Sequence, residues 1–224
     1  MNSLEPPSKD YRSGFVALIG RPNVGKSTLV NQLVGKKVAI TSPVAQTTRN
    51  RLKAILTTPK AQLIIVDTPG IHKPHHLLGE RLVKRAKSSI GEVDNVLLMF
   101  DLSSSPGKGD EFIVELLRQQ NIPISVALNK YDLVDQSKIK DRENEYMNLL
   151  EKFTWPINSC SAITGKGCNQ LIETIIDMMP LGPRLYPENI LSDQPEQILL
   201  AELIREQVLI HTREEIPHSV AVSI

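Results

Sequence analysis

Only two cysteines, Cys160 and Cys168, occur in 224 residues, too few for a disulfide framework in a chain this size; the expectation is a reducing compartment, the cytoplasm. Aromatic residues make up 4% of the chain, with one tryptophan, Trp155, read as packing. The basic groups Arg49, Arg51 and Lys53, and Lys84, Arg85 and Lys87, therefore have no interleaved rings for bases to stack on, and the bland reading is a solvated face. No apolar run approaches the roughly 18 to 20 residues a spanning helix needs, and the polar stretch Met1 to Arg12, with Pro6 and Pro7, does not read as a signal peptide. A net charge of +1 gives no global pull toward nucleic acid. Internal repeats and low-complexity tracts are also absent.

What is present is ordinary globular material, 41% hydrophobic and 23% charged. The length exceeds one typical domain and falls short of two, so one domain plus a fragment is expected. Short β-branched runs alternate with helical periodicity, the pattern of an α/β sheet covered on both faces. Strands are expected at Phe15 to Ile19, Leu63 to Val66, Val96 to Phe100, Ile124 to Leu128 and Ile157 to Ser159, with a helix from about Lys26 to Val34. Arg51 to Thr57, turning at Pro59 and Lys60 into Leu63, reads as the partner of a β-hairpin, which makes the sheet mixed.

Pro180, Gly182, Pro183, Pro187 and Pro195 fall in a stretch that cannot hold a regular helix. Residues 180–196 are read as a linker between a domain of residues 14–179, after a polar tail 1–13, and a second domain beginning at 197. Gln197 to Thr212 has helical spacing of apolar residues, and Ser219 to Ile224 is expected to start a strand.

The chemistry is carried by loops at strand ends. Gly20, Arg21, Pro22, Asn23, Val24, Gly25, Lys26 and Ser27, followed by Thr28, fit the phosphate-binding pattern of glycine, four spacers and Gly-Lys-Ser between a strand and a helix. The glycines let backbone N–H groups turn in on phosphate oxygens, and the helix presents its positive end to the same charge. Lys26 is expected on the β- and γ-phosphates and Ser27 on magnesium. Asp67, Thr68, Pro69 and Gly70 follow a neighbouring strand, placing a carboxylate on the metal side and the Gly70 N–H near the γ-phosphate. Alone this is common turn chemistry; its order after the phosphate loop gives it meaning.

Asn129, Lys130, Tyr131 and Asp132 follow another strand. A carboxylate at 132 accepts from guanine N1–H and its 2-amino group, a donor pair adenine lacks, which argues for GTP over ATP. Ser161 and Ala162, after Cys160, would offer a backbone N–H to the guanine carbonyl. A phosphate-loop kinase or ATPase stays open if Asp132 is incidental.

In this order the motifs resemble the translation-factor-related GTPases, and their wording matches the Era family: GRPNVGKSTLVNQLVG, ITS-P-AQTTRNR, VDTPGIHKP, LNKYDLV, then REQVL and REEIPHSVAV. The resemblance runs from about Phe15 to the last residue. It implies a phosphate-loop GTPase domain followed by a KH-type RNA-binding domain, here expected to stop before its GXXG loop. It also implies GTP or GDP with Mg2+ as ligands, and 16S rRNA and the small ribosomal subunit as partners in subunit maturation. A monomer, located in the cytoplasm and peripherally at the inner face of the cell membrane, completes that expectation.

The same resemblance marks Thr48 as the first-switch magnesium ligand, with Thr47 as its rival, and gives Lys26, Thr48 and Gly70 the catalytic roles. Ile71 stands where many related GTPases place a glutamine that orients water, so hydrolysis is expected to be slow, and a nucleotide-binding module with negligible turnover is the alternative. Several relatives with asparagine at the position of Asn23 bind a potassium ion there, and K+ is expected at this residue. His72, His75 and His76 crowd one segment, but no cysteine or carboxylate completes a ligand set beside them.

Overall fold

The computed structural model describes residues 9–41, 52–67, 91–211 and 221–224. Thr47, Thr48, Thr68, Pro69, Gly70, Ile71 and the three histidines of 72–76 lie outside them, as do Arg49, Arg51, Lys84, Arg85 and Lys87.

Six strands form one sheet: β1 (Arg12–Gly20), β2 (Leu52–Thr57), β3 (Ala61–Asp67), β4 (Asn95–Asp101), β5 (Ile124–Asn129) and β6 (Ile157–Ser159). Their order is β2-β3-β1-β4-β5-β6. The β2–β3 pair is antiparallel, running from Leu52 opposite Asp67 to Thr57 opposite Gln62, and every other pair is parallel. The hairpin needs only a short turn, whereas each parallel pair needs a crossover, and the helices supply it.

Alternation along the buried strands sends successive side chains to opposite faces. Val16, Leu18, Leu63, Ile65, Leu97 and Met99 pack with Leu29 and Val30 of α1 (Lys26–Val34). Leu171 and Ile175 of α4 (Cys168–Asp177) join the same layer. Ala17, Ile19, Val96, Leu98 and Phe100 face the other side. There they meet Ile113 and Leu117 of α2 (Lys108–Arg118) and Tyr146 and Leu150 of α3 (Ile139–Leu150). Each fully buried Leu or Ile contributes about 1.5–3 kcal/mol, so these two layers dominate stability. Trp155 packs in this second layer, stacked on Phe153 with ring centroids 4.2 Å apart.

The strand order reverses at β1, with β3 on one side and β4 on the other. Crossovers leave in opposite directions from such a point and open a crevice beyond the carboxyl ends of the strands, where ligands of α/β sheets sit. Gly20, Asp67, Asp101 and Asn129 all end strands at that edge.

Residues 180–195 contain no regular element, yet they lie along the sheet. Gly182 N donates to Tyr11 O (3.0 Å), and Leu185 N and Tyr186 N both donate to the buried Gln62 Oε1 at 2.7 and 2.8 Å. Ile55 N donates to Leu191 O at 2.9 Å, so this strap covers part of the otherwise open β2 edge. Helix α5 (Glu196–His211) follows. The strand expected to begin at Ser219 is not found in Ala221–Ile224, which pair with no strand among the described residues. β-branched residues favour extended backbone, but a strand needs a ladder partner to satisfy its N–H and C=O groups.

Candidate functional site

The loop after β1 is shaped by two left-handed residues, Asn23 (φ 64°) and Gly25 (φ 98°). Gly25 precedes α1 and admits no side chain: a Cβ there would lie 2.4 Å from Asn129 Nδ2. Helix α1 has no side-chain cap and no acidic residue in its first turn. The start of such a helix can present N–H groups to an anion, and its dipole favours one. Helix α2 differs, with Asp110 and Glu111 in its first turn and Asp110 Oδ2 accepting from Gly107 N at 2.9 Å.

Lys26 is 7% exposed, and its Nζ donates to Arg21 O at 2.8 Å and Gly20 O at 3.2 Å. Burial lowers its pKa to about 8, partly offset by the Asp67 carboxylate. A buried ammonium that donates to carbonyls gains from a phosphate oxygen arriving beside it. Ser27 Oγ donates to Asp67 Oδ2 at 2.9 Å, so α1 and the end of β3 bring a hydroxyl and a buried carboxylate together. Both are hard oxygen donors at the mouth of the phosphate loop, which fits Mg2+, an ion that takes a few protein oxygens and completes its shell with water and phosphate. Thr28 follows, partly buried, in the first turn.

Asn129 holds the second half of the site. Its Nδ2 donates to Val24 O at 2.8 Å, and its Oδ1 accepts from Ala162 N at 2.9 Å. Tyr131 N donates to Cys160 O at 3.1 Å, so the 129–132 turn and the Ser161–Ala162 turn are joined twice. Ser161 is fully buried, and its Oγ accepts from Thr164 N at 3.1 Å. Lys130 adopts the left-handed conformation (φ 66°), and its Nζ lies 2.6 Å from Asp101 Oδ2 at the end of β4. Asp132 is exposed in the 3-10 turn Tyr131–Leu133 and borders an open cavity of about 660 Å3. Its exposed carboxylate is available to donors from a base.

The described candidates therefore gather at one edge: residues 20 to 28 with Asp67, and beside them Asn129 to Asp132 with Ser161 and Ala162. Pro22 is half-buried and Asn23 exposed on the loop.

Sequence reasoning missed several supports. Arg21 Nε donates to the fully buried Asp110 Oδ1 at 2.7 Å, and its stem lies over Gly109, where a Cβ would come within 2.7 Å of Arg21 Cδ. Asp101 fixes Lys130, and Lys166 Nζ sits 4.2 Å above the Tyr131 ring. Only Asp101 left a trace in sequence, as a carboxylate ending a core strand at the same edge as Asp67. Lys53 of the basic series pairs with Asp193 at 3.1 Å, an interaction that raises its pKa through the carboxylate's hydrogen bond.

Residues 15–130 match the model of a family described as 50S ribosome-binding GTPase. The chain is 55% identical over 224 residues to GTPase Era of Crocosphaera subtropica, covering all of this chain and 71% of that protein. It is 54% identical to GTPase Era of a Nostoc species, covering 99% of this chain and 68% of the relative. Among solved structures, Era in complex with MgGDPNP and nucleotides 1506-1542 of 16S ribosomal RNA superposes with a TM-score of 0.85 at 38% identity, covering 92% of this chain and 70% of that one. A variant of Aquifex aeolicus Era bound to GDP.AlF4- gives 0.84 at 37% identity, with the same coverages.

Proposed function

The chain belongs to the Era family of GTPases, and from that membership we propose that it binds GTP with Mg2+ at the β1–α1 loop, hydrolyses it, and uses the two nucleotide states to control its binding to 16S rRNA during small-subunit assembly. The observation that carries the nucleotide chemistry is the Ser27–Asp67 contact of 2.9 Å at the uncapped start of α1. It supports a metal-and-phosphate site, and the Asn129 hydrogen bonds connect that site to the base-selecting turn.

In this reading the N–H groups from Asn23 to Ser27 hold the phosphates, Lys26 turns from its carbonyls to the β- and γ-phosphates, and Asp132 selects guanine. Ser27, Asp67 and Thr48 would hold Mg2+, which would supply positive charge where negative charge develops on the phosphate oxygens. Gly70 would orient the γ-phosphate. The motif residues Thr68, Pro69 and Ile71 line the same segment, and Ile71 has no group to hold water, so intrinsic turnover is slow.

The family model's description names the large subunit, but it covers only residues 15–130, whereas whole-chain similarity to Era favours the small one. Residues 14–179 are proposed as the GTPase domain, 180–196 as the connection and 197–224 as the first part of a KH-type domain. Two finer elements accompany this. Asn23 is proposed to ligate K+ where another GTPase would use an arginine finger. The protein is proposed to work as a cytoplasmic monomer with peripheral contact at the inner face of the membrane; among the described residues no helix is long and apolar enough to cross one.

Fluorescent GDP binding with Mg2+ and with EDTA, ATP competition, and single-turnover hydrolysis with and without small ribosomal subunits test the main reading. Equal competition by ATP and GTP would overturn the base assignment. Matching rates in potassium and sodium chloride at equal ionic strength would remove K+. Failure to sediment with anionic vesicles would remove the membrane contact.

A further inference from the structure

Asp110, in the first turn of α2, is fully buried. Its Oδ2 accepts from Gly107 N at 2.9 Å, where the helix starts, and its Oδ1 accepts from Arg21 Nε at 2.7 Å. A carboxylate out of water is stable only when paired and hydrogen-bonded, so the contact with Arg21 has a defined length and direction. The support behind it is firm. Ile113 and Leu117 of α2 are buried against the sheet, and Tyr146 OH donates to Asp101 O (2.8 Å) and Ser104 O (3.1 Å), pinning the β4–α2 connection to α3.

Arg21 opens the β1–α1 loop, and its carbonyl accepts from Lys26 Nζ at 2.8 Å. The residue whose side chain is held by α2 thus also orients the buried ammonium. Its neighbour Gly20 is pressed against β4, where a Cβ would lie 2.6 Å from Met99 O. Gly109 makes the reach to Asp110 possible: a Cβ there would come within 2.7 Å of Arg21 Cδ and 3.5 Å of its Cγ. Gly109 lies inside α2 and is not among the glycines with positive φ, so its backbone does not call for glycine. A helix is weakened by glycine relative to alanine, and the passage of the Arg21 stem is what the missing side chain permits.

We propose that Asp110 is a positioning residue for nucleotide binding, acting through Arg21 across Gly109, and that this tether holds the β1–α1 loop in the shape that receives a β-phosphate. The inference rests on the GTPase reading above. A loop already in shape loses less conformational freedom when its ligand arrives than one the ligand must order. The benefit falls on nucleotides that fill the loop, GDP and GTP, and hardly on GMP, which has no β-phosphate. Coulomb's law acts in the opposite direction. A carboxylate near an anion site repels the anion, so if charge alone mattered, removing it would tighten GDP binding.

The test uses the full chain with Gly109→Ala, Asp110→Asn and the double variant, each checked for native circular dichroism. Gly109→Ala changes no charge and favours the helix, but its methyl group displaces the Arg21 stem. Dissociation constants are measured for fluorescent GDP and, by competition, for GMP, all with Mg2+. The expected result is GDP affinity weakened about fivefold or more in each single variant, the effect of freeing one loop residue, with GMP affinity within about twofold of wild type. The double variant should lose no more GDP affinity than the weaker single one, because both changes break the same contact. Equal proportional losses for GDP and GMP would mean general damage to the site, and unchanged or tighter GDP binding would mean that the loop needs no tether; either overturns the proposal. A wild-type chain that binds neither GDP nor GTP would instead refute the GTPase reading itself.

Discussion

Asn129 Nδ2 donates to the carbonyl of Val24 at 2.8 Å, across 105 residues of sequence, and so ties the turn after β5 to the β1–α1 loop. The same side chain accepts from Ala162 N. Asn129→Ala would leave a buried carbonyl and a buried N–H without their partner, at about 1–3 kcal/mol each. GDP affinity should fall by roughly tenfold to several hundredfold, with a smaller drop in melting temperature. Equilibrium binding and thermal melts on one preparation check the split.

Gly25→Ala should abolish nucleotide binding at little cost to the sheet. The new Cβ meets Asn129 Nδ2 at 2.4 Å, and the φ of 98° disfavours any L side chain. Circular dichroism should show native secondary structure while fluorescent GDP stays unbound at micromolar concentration. Wild-type affinity in this variant would mean that the loop relaxes without consequence.

Asp132→Asn should exchange the two charge-assisted hydrogen bonds to guanine for a mismatch, lowering GTP affinity by about 3 kcal/mol or more. Because Asp132 is exposed and absent from both core layers, stability should not change. Xanthosine triphosphate should compete better against this variant than against wild type, a gain that generic damage would not produce.

Glu206 sets an acid-side dependence. Burial alone would raise its pKa, but the Lys37 ammonium and the two Thr41 donors outweigh that and hold it below the ordinary carboxylate value. The neighbouring Arg205 pairs with Glu202 on the same helix. A lowered folded pKa means that the group contributes stability above its unfolded value, near 4.5, and loses that contribution as pH falls through the folded value. Glu206→Gln should therefore be less stable than wild type at pH 7, by about 1–3 kcal/mol, and the gap should narrow by pH 4. Urea midpoints at the two pH values measure it.

A chain extended to include a KH segment with its GXXG loop should bind 16S rRNA with an affinity that drops steeply as salt rises, since phosphate contacts release counterions. The present 224 residues should bind far less. Filter binding at two salt concentrations distinguishes them, and equal affinity would place RNA recognition in the GTPase domain.

The sequence by itself determined the strands, the loops that end them and their order. Burial on both faces makes Leu63 to Val66 and Val96 to Phe100 continuous apolar runs, and a glycine-rich turn between strand and helix has few uses other than phosphate. Asp132 was legible as a candidate because the chemistry that would select guanine is local: a carboxylate in a turn after a core strand. What only the tertiary structure decided are the contacts between residues far apart in the chain. Nothing local to Asp110 or Glu206 distinguishes them from solvated carboxylates, and the strand-end position of Asp101 does not reveal its partner; Arg21, Thr41 and Lys130, which they meet, lie 89, 165 and 29 residues away. The proline-rich stretch after Met179 shows the same limit. Its composition rules out a helix, but whether it hangs free or lies along β1, β2 and β3 depends on the backbone groups that Tyr11 and Ile55 and the side chain that Gln62 present to it, and those exist as a surface only once the sheet has formed.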